Sequence, residues 1–160
     1  MGELTSVRFA RPDDADAIVR VVNDAFDIES FFKNAPRTTP EGVRVLMRTG
    51  QFLVLDRPAG GLAGAVYLSI DGGRGYLGML SVDPATQGQG VGRLLQNAAE
   101  ERCRDAGCSL LEIHIVDVRP ELKPYYERLG FAANGEVRPF PHPEHATQPC
   151  HLIVMTKPLG

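Results

Sequence analysis

At 160 residues with 43% apolar content, the chain is long enough for one domain with a substantial core and short for two. A formal charge of -3, with Lys and Arg scattered among acidic residues, gives no electrostatic ground for binding nucleic acid. No apolar stretch approaches the ~20 residues of a membrane span, MGELTSVRFARPDD lacks the apolar region of a secretory signal, and Cys103, Cys108 and Cys150 fit a reduced compartment better than a disulfide framework, so a cytoplasmic protein without a membrane partner is expected.

Val7 to Ala10 reads as a first strand with Val7 and Phe9 on one side, ended by Arg11-Pro12. Asp13, Asp14 and Asp16 crowd the first turn of the helix that follows, where carboxylates suit the positive end of the helix dipole. Its buried stripe is predicted as Ala15, Ile18, Val19, Val22 and Phe26. Residues 27–32 are acidic and aromatic, and residues 33–37 read as loop. Thr39-Pro40 starts a second helix, a capping hydroxyl followed by proline at the first helical position. That helix carries Val43, Leu46 and Met47 and stops at Gly50, read as the residue just past its end.

Strands are predicted at Gln51 to Leu55, Leu62 to Ile70 and Tyr76 to Val82, joined by turns at Gly60-Gly61 and Asp71-Gly72-Gly73, giving three antiparallel strands in succession. Asp83-Pro84 stops the third of these, because proline has no N–H to donate and biases its predecessor toward extended geometry. After a glycine-rich loop comes a helix with Val91, Leu94, Leu95, Ala98, Ala99 and Cys103 on one stripe, ending at Gly107. Leu110 to Val116 is a fifth strand and Glu121 to Leu129 a short helix, its start restricted to about residues 120–123 by Pro120 and Pro124. Phe131 leads into a sixth strand and Leu152 to Thr156 forms a seventh, with Pro139-Phe140-Pro141-His142-Pro143 between them too rich in proline for a central strand.

The glycine-rich loop, Gln87-Gly88-Gln89-Gly90-Val91-Gly92-Arg93, sits where a strand feeds a helix. A helix N-terminus presents backbone N–H groups without intrahelical partners and the positive end of the dipole, and glycine lets a phosphate come close. The same glycines would serve a plain strand-to-helix turn. Gly92 is followed by Arg93-Leu94 and not Lys-Ser/Thr, which excludes the phosphate loop of nucleotide triphosphatases, and Gly-x-Gly-x-Gly is not the dinucleotide fingerprint Gly-x-Gly-x-x-Gly. With Gln87, Gly90 and Gly92 preceded by Leu80-Ser81-Val82-Asp83-Pro84, the stretch resembles the acetyl-CoA motif Gln/Arg-x-x-Gly-x-Gly/Ala of the GNAT superfamily of N-acetyltransferases. A second run, Tyr125-Tyr126-Glu127-Arg128-Leu129-Gly130-Phe131, resembles that family's other recurrent element.

The resemblance covers nearly the whole chain and implies one α+β domain over residues 1–160. It implies a mostly antiparallel central sheet of six to seven strands with about four flanking helices. The strands at Tyr76 and Leu110 would be a parallel pair splayed at one end, with the pantetheine arm of acetyl-CoA in the gap. Backbone groups of Leu80, Ser81 and Val82 would pair with that arm, and Gln87, Gly88, Gln89, Gly90, Val91, Gly92 and Arg93 would hold the diphosphate. Tyr126 takes the place of the tyrosine that hands a proton to the departing thiolate. At helical spacing, Leu122, Tyr126 and Leu129 would equally make a core stripe.

Attack by an amine also requires its ammonium to lose a proton. In the fifth strand Leu111, Ile113 and Ile115 alternate with Glu112 and His114, two polar residues on one face of a strand otherwise apolar. Some relatives that modify protein N-termini carry a glutamate twelve residues before the tyrosine, and His114 occupies that spacing, so His114 is the candidate base with Glu112 second. A histidine hydrogen-bonded to a neighbour for packing would look the same. The family's frequent glutamate in the strand before the loop is absent, with Tyr76 near its place, and Arg119 stands where an asparagine often follows the fifth strand.

By the resemblance, Asp27, Glu29 and Phe32, with Phe31 and Arg37 nearby, fall where the amine substrate is walled, and acidic groups with aromatic walls suit a cationic amine. The connection between the sixth and seventh strands would border the same pocket. His142, His145, Cys150 and His151 do not match a usual zinc spacing, and no metal is expected. The reading is acetyl transfer from acetyl-CoA by direct attack of an amine, with no cysteine as covalent nucleophile. The acyl acceptor is a small-molecule amine or a peptide N-terminus, and amines, antibiotics, amino acids and protein N-termini remain open, as does the oligomeric state, a homodimer included. The alternative is a non-catalytic module that binds or senses acyl-CoA.

Overall fold

The computed structural model describes residues 6–160. Seven strands, β1 (Val7–Phe9), β2 (Gln51–Asp56), β3 (Leu62–Asp71), β4 (Arg74–Val82), β5 (Leu110–Val116), β6 (Ala132–Pro139) and β7 (His151–Pro158), form one sheet in the order β1-β2-β3-β4-β5-β7-β6. The β4–β5 pair is parallel and the other neighbours are antiparallel. Among the described residues four α-helices flank it: α1 (Ala15–Phe26), α2 (Pro40–Leu46), α3 (Val91–Asp105) and α4 (Leu122–Arg128). This is the α+β architecture expected from the sequence, with the parallel pair where the strand–helix–strand crossover through α3 requires it.

Strand alternation divides the core into two layers. Leu53 and Leu55 of β2 face α3 and join Val66, Leu68, Leu77, Val91, Leu95, Ala99, Leu111, Ile113, Ile115 and Met155. Phe52 and Val54 face the other side and pack with Ala15, Ile18, Val21 and Val22 of α1 and Val43 of α2. The fifth strand obeys the same rule: its isoleucines join the α3 layer, and Glu112 and His114 point to the face that carries Tyr76.

Several local expectations are corrected. Val19 and Phe26 are only half-buried on α1, where Val21 takes the inner position. Asp14 is more than a dipole partner: it takes a bidentate ion pair from Arg8 and the Arg11 backbone N–H at 2.7 Å, and these hold its carboxyl at about 2. The second helix starts as expected, Thr39 accepting the Gly42 N–H at 3.0 Å, but its regular turns end at Leu46. Gly50 does not have a positive φ; it is small because a Cβ there would lie 2.5 Å from the Tyr67 hydroxyl oxygen and the Leu68 carbonyl oxygen. On α3, Leu94 is 37% exposed, whereas Gln96 and Glu100 are buried. Lys157 of β7 reaches Glu100 at 2.9 Å and Gln96 donates to the same carboxylate at 2.9 Å, so a polar pair replaces the expected apolar contact.

The exposure difference along α3 predicts a matching stability difference. Leu95→Ala removes a fully buried side chain and should cost about 2–5 kcal/mol. At about 2–4 °C per kcal/mol for a domain of this size, the thermal midpoint should fall by roughly 5–15 °C, while Leu94→Ala should move it by less than about 2 °C. Equal shifts in the two variants, read by calorimetry, would contradict this packing.

Candidate active site

The β4–β5 ladder pairs Arg74 with Leu110, Gly75 with Leu111, Tyr76 with Glu112 and Leu77 with Ile113, and then stops. Beyond it β4 keeps β3 as its partner and β5 keeps β7, so Gly78–Val82 and His114–Val116 diverge. Met79 lies at the divergence with φ 54, the one non-glycine residue with positive φ among those described. The β3–β4 register slips there by one residue, between the Ala65–Ser81 and Tyr67–Gly78 pairs. A bulge of this kind turns a strand and re-aims its side chains, and a left-handed methionine stores about 1–3 kcal/mol of strain.

The gap opens into a cavity of about 1000 Å³. Its lining runs from the glycine loop, past β4 and β5, to the segment between α1 and α2 and the β6–β7 connection. That connection is tied down: Thr147 N–H donates to the Phe32 carbonyl at 2.7 Å and Asn34 N–H to the His145 carbonyl at 2.9 Å. Of the residues expected to bind the donor, Leu80, Val82, Gln87, Gly88, Gly90, Val91, Gly92 and Arg93 line the cavity. Ser81 does not; it is buried, its hydroxyl donating to the Met79 carbonyl at 2.8 Å, and Gln89 is exposed outside the lining.

The loop itself rests on a fixed base. Asp83 accepts the Ala85 N–H at 3.1 Å and an Arg57 N–H at 2.8 Å, and Asp83 N–H donates to the Ala63 carbonyl at 2.8 Å. Gly88 and Gly90 then take φ of 82 and 79, a left-handed geometry that glycine adopts without strain. Among the described residues, no backbone N–H from Gln87 to Arg93 donates to a protein acceptor, and the first α3 bond is Leu94 N–H to the Gly90 carbonyl at 3.0 Å. Unpartnered amides at the head of a fifteen-residue helix are a cradle for an anion, and a thioester donor that carries a diphosphate fits it.

Tyr126 lines the cavity and packs edge-on against Tyr125 and Phe131, with ring centroids 5.0 and 5.7 Å away. The core-stripe expectation for Leu122, Tyr126 and Leu129 therefore holds together with the cavity position, since all three pack on the α3 layer while half-buried. Burial, reinforced by Tyr125, pushes the Tyr126 phenol well above its ordinary value, with Arg119 opposing, so it keeps its proton across the physiological range. His114 also lines the cavity, its ring 5.0 Å from that of Tyr76. His114 Nε2 is 2.6 Å from the Glu112 Oε2, and Arg74 binds the other carboxylate oxygen, Oε1, from outside. Burial pushes the Glu112 carboxyl up, but the hydrogen bonds from His114 and Arg74 outweigh this and hold it below its ordinary value. An ionised Glu112 places the proton on Nε2 and leaves Nδ1 as the basic nitrogen.

The residues expected to wall the amine are divided. Glu29 lines the cavity, but its buried carboxylate already binds Lys33 at 3.1 Å and Arg119 at 3.1 Å. Phe32 is fully buried behind the lining, edge-on to Phe140 at 6.1 Å, and Asp27 is exposed and away from it. Arg37 lines the cavity as well, as do Lys33, Arg119 and Arg138, whose convergence no local sequence signal announced. His142 and His145 stack with ring centroids 5.6 Å apart, and with Glu144 they bring ligand atoms within 4.8 Å of one another on the exposed rim. His151 instead pairs with Asp117 at 3.1 Å. Among the described residues no cysteine lines the cavity, and burial pushes the Cys103 thiol up to about 12.

A mixed sheet split after Leu77 and Ile113, with an amide cradle at one end of the split and a tyrosine inside it, is the framework of an acyl-group transferase. Residues 24–145 match the family described as "Acetyltransferase (GNAT) domain", and the chain belongs to the GNAT acetyltransferases. It is 29% identical over 153 residues to a mycothiol acetyltransferase of Propionibacterium freudenreichii subsp. shermanii, across 86% of this chain and 48% of that protein. A mycothiol acetyltransferase of Beutenbergia cavernae is 32% identical over 81 residues, across 50% of this chain and 27% of that protein. The chain thus spans about half or less of the length of these curated relatives. The fold superposes on the ribosomal-protein-S18-alanine N-acetyltransferase from Escherichia coli with a TM-score of 0.77 at 18% identity, covering 97% of this chain and 94% of the other.

The cradle predicts a distinct mutational signature. Gly88→Val and Gly90→Val should each weaken acetyl-CoA binding at least tenfold in calorimetric titration. Gly107→Val imposes the same backbone strain at the far end of α3, where φ is 85, and should lower the thermal midpoint without changing the affinity. Loss of affinity in the Gly107 variant to the same degree would show that strain, not the cradle, was being measured.

Proposed function

We propose that this chain transfers the acetyl group of acetyl-CoA to a primary amine by direct attack, within one catalytic domain and without a metal. The observation that carries the reading is the pairing of two features in one cavity: the run of unpartnered amides at Gln87–Arg93 and the protonated Tyr126 facing the same split. His114, oriented by Glu112, takes a proton from the substrate ammonium, directly or through a water. The amine nitrogen then forms a bond to the thioester carbonyl carbon, the carbon–sulfur bond breaks as Tyr126 gives its proton to the departing sulfur, and the second proton on nitrogen returns to the Tyr126 oxygen, directly or through water, leaving the neutral amide and the free thiol. Open backbone on the β5 side of Leu80–Val82 supplies partners for the pantetheine arm. The absence of any cysteine from the described lining supports attack without an acyl-enzyme. The names of the curated relatives, both mycothiol acetyltransferases, support acetyl transfer, and small-molecule amines and peptide N-termini are both compatible with the reading.

Tyr126→Phe should lower the rate of thiol release at least 100-fold while acetyl-CoA still binds, because only the phenolic proton is removed. His114→Gln should lower it by about 10²–10⁴ at neutral pH. That second loss should shrink as pH rises toward the amine's own pKa, about 8 for an α-amine and about 10.4 for an alkylamine, where solution already supplies the free base. A Tyr126→Phe rate equal to the parent's between pH 6 and 9 would remove Tyr126 from the mechanism. A pH-independent His114→Gln defect would remove the histidine as base. Tight binding of acetyl-CoA with no amine acetylated would favour a sensing module instead.

A further inference from the structure

The amine side of the cavity is rich in cations, and their partners differ. Lys33 and Arg119 share Glu29, and Arg119 also takes Glu121 at 3.0 Å. Arg138 holds Glu136 at 2.6 Å and comes within 3.8 Å of Glu112. Glu29, the acidic residue expected to attract a cationic amine, therefore faces two cations and has no charge left for a third.

Arg37 stands apart. It lines the cavity, and its guanidinium carbon lies 5.3 Å from the centre of the Phe26 ring. Among the described residues it makes no side-chain hydrogen bond and no ion pair, so five N–H donors go without a protein acceptor. Burial pulls its pKa below the ordinary value, with only partial relief from Tyr76 and Glu29, yet an arginine remains charged at any working pH. Arg37 is half-buried, and a cation partly withdrawn from water without a counter-charge is unfavourable; an anion entering the cavity removes that penalty. Tyr76 lies within electrostatic reach of Arg37, and its ring sits tilted 5.0 Å from that of His114, so one tyrosine neighbours both the unpaired guanidinium and the candidate base.

We propose that Arg37 receives a carboxylate of the acyl acceptor, so that the substrate class is a compound carrying amine and carboxylate a few bonds apart, in the manner of an α-amino acid. The proposal rests on the reading of this cavity as the site of acetyl transfer. A simple cation would meet Arg37, Arg138 and a neutralised Glu29, and is disfavoured. A planar carboxylate matches the guanidinium fork and delivers the amine toward His114. Phe26, Met79, Phe140 and Leu152 then give its side chain apolar walls.

The test uses the purified chain with saturating acetyl-CoA and a panel of the common α-amino acids, each beside its amide and its decarboxylated amine, read by thiol release. The parent should prefer the acids by about 100-fold or more in kcat/KM, since a polar site left without its partner discriminates strongly. Arg37→Met keeps the length of the side chain and its packing on Phe26, and should reduce that preference to within about threefold without changing the acetyl-CoA dissociation constant. Arg37→Lys should restore part of it. Amides and amines acetylated as fast as the acids by the parent would overturn the proposal while leaving acetyl transfer intact. So would a preference that survives Arg37→Met, or a tenfold loss of acetyl-CoA affinity in that variant, which would assign Arg37 to the donor's phosphates. If no compound in the panel is acetylated, the transfer reading fails on that panel and the anion site is read from binding alone. A rise in thermal midpoint with the acids and not their amides, coenzyme A present, and absent in Arg37→Met, then supports the site; no carboxylate-dependent rise overturns it.

Discussion

The functional architecture depends on one interruption: the parallel ladder between β4 and β5 ends after Leu77 and Ile113. Neither strand is free to close the gap. Val82 and Ser81 remain paired to Gly64 and Ala65 of β3, and His114, Ile115 and Val116 remain paired to β7. Met79, in its left-handed conformation, takes up the extra residue that turns β4 away. Backbone groups on the inner edges of the split lose a strand partner, and a sheet interior tolerates that only where water or a ligand replaces it. The fold thereby builds a slot with polar edges and apolar walls.

Around that slot the two ends carry different chemistry because different elements supply them. One end is backbone: unpartnered amides at the start of α3, set at fixed height by Asp83, Ala63 and Arg57. The other end is side chains, with Tyr76, Glu112 and His114 projecting from adjacent strands on one face and Arg37 and Glu29 arriving from the segment between α1 and α2. Tyr126 enters from α4 between them, held by Tyr125 and Phe131. The candidate acid and the candidate base thus come from independent elements, and each is oriented by its own neighbour.

The parts of this arrangement legible in the sequence are those encoded locally. Strand alternation in Leu110–Val116 separates Ile113 from Glu112 and His114, and Gln87–Arg93 and Tyr125–Phe131 are contiguous segments whose geometry follows from their own residues. What escaped depends on partners far along the chain. Glu29 reads as a receptor for a cation until Arg119, ninety positions away, is seen to occupy it. Asp27, two residues before Glu29, faces out because the short helical segment Asp27–Phe31 turns Glu29 inward in its place. On α3 the expected stripe is displaced: Gln96 and Glu100 are buried, Glu100 by a contact with Lys157 some sixty residues later, and Leu94 is left exposed. The bulge at Met79 has no signature of its own, since methionine has no preference for positive φ and the slip is imposed by pairing with β3.

The central claim is that the open edge of β4 and the first amides of α3 are held ready for a donor. Amide hydrogen exchange, followed by mass spectrometry with and without saturating acetyl-CoA, reads those N–H groups directly. Residues 79–93 should exchange rapidly in the free protein over Gln87–Arg93, where no protein acceptor is present, and slow by at least tenfold on binding, while β1–β3 outside that stretch stay unchanged. Protection confined to other segments, or none at Gln87–Arg93 at saturation, would contradict the cradle and the function built on it.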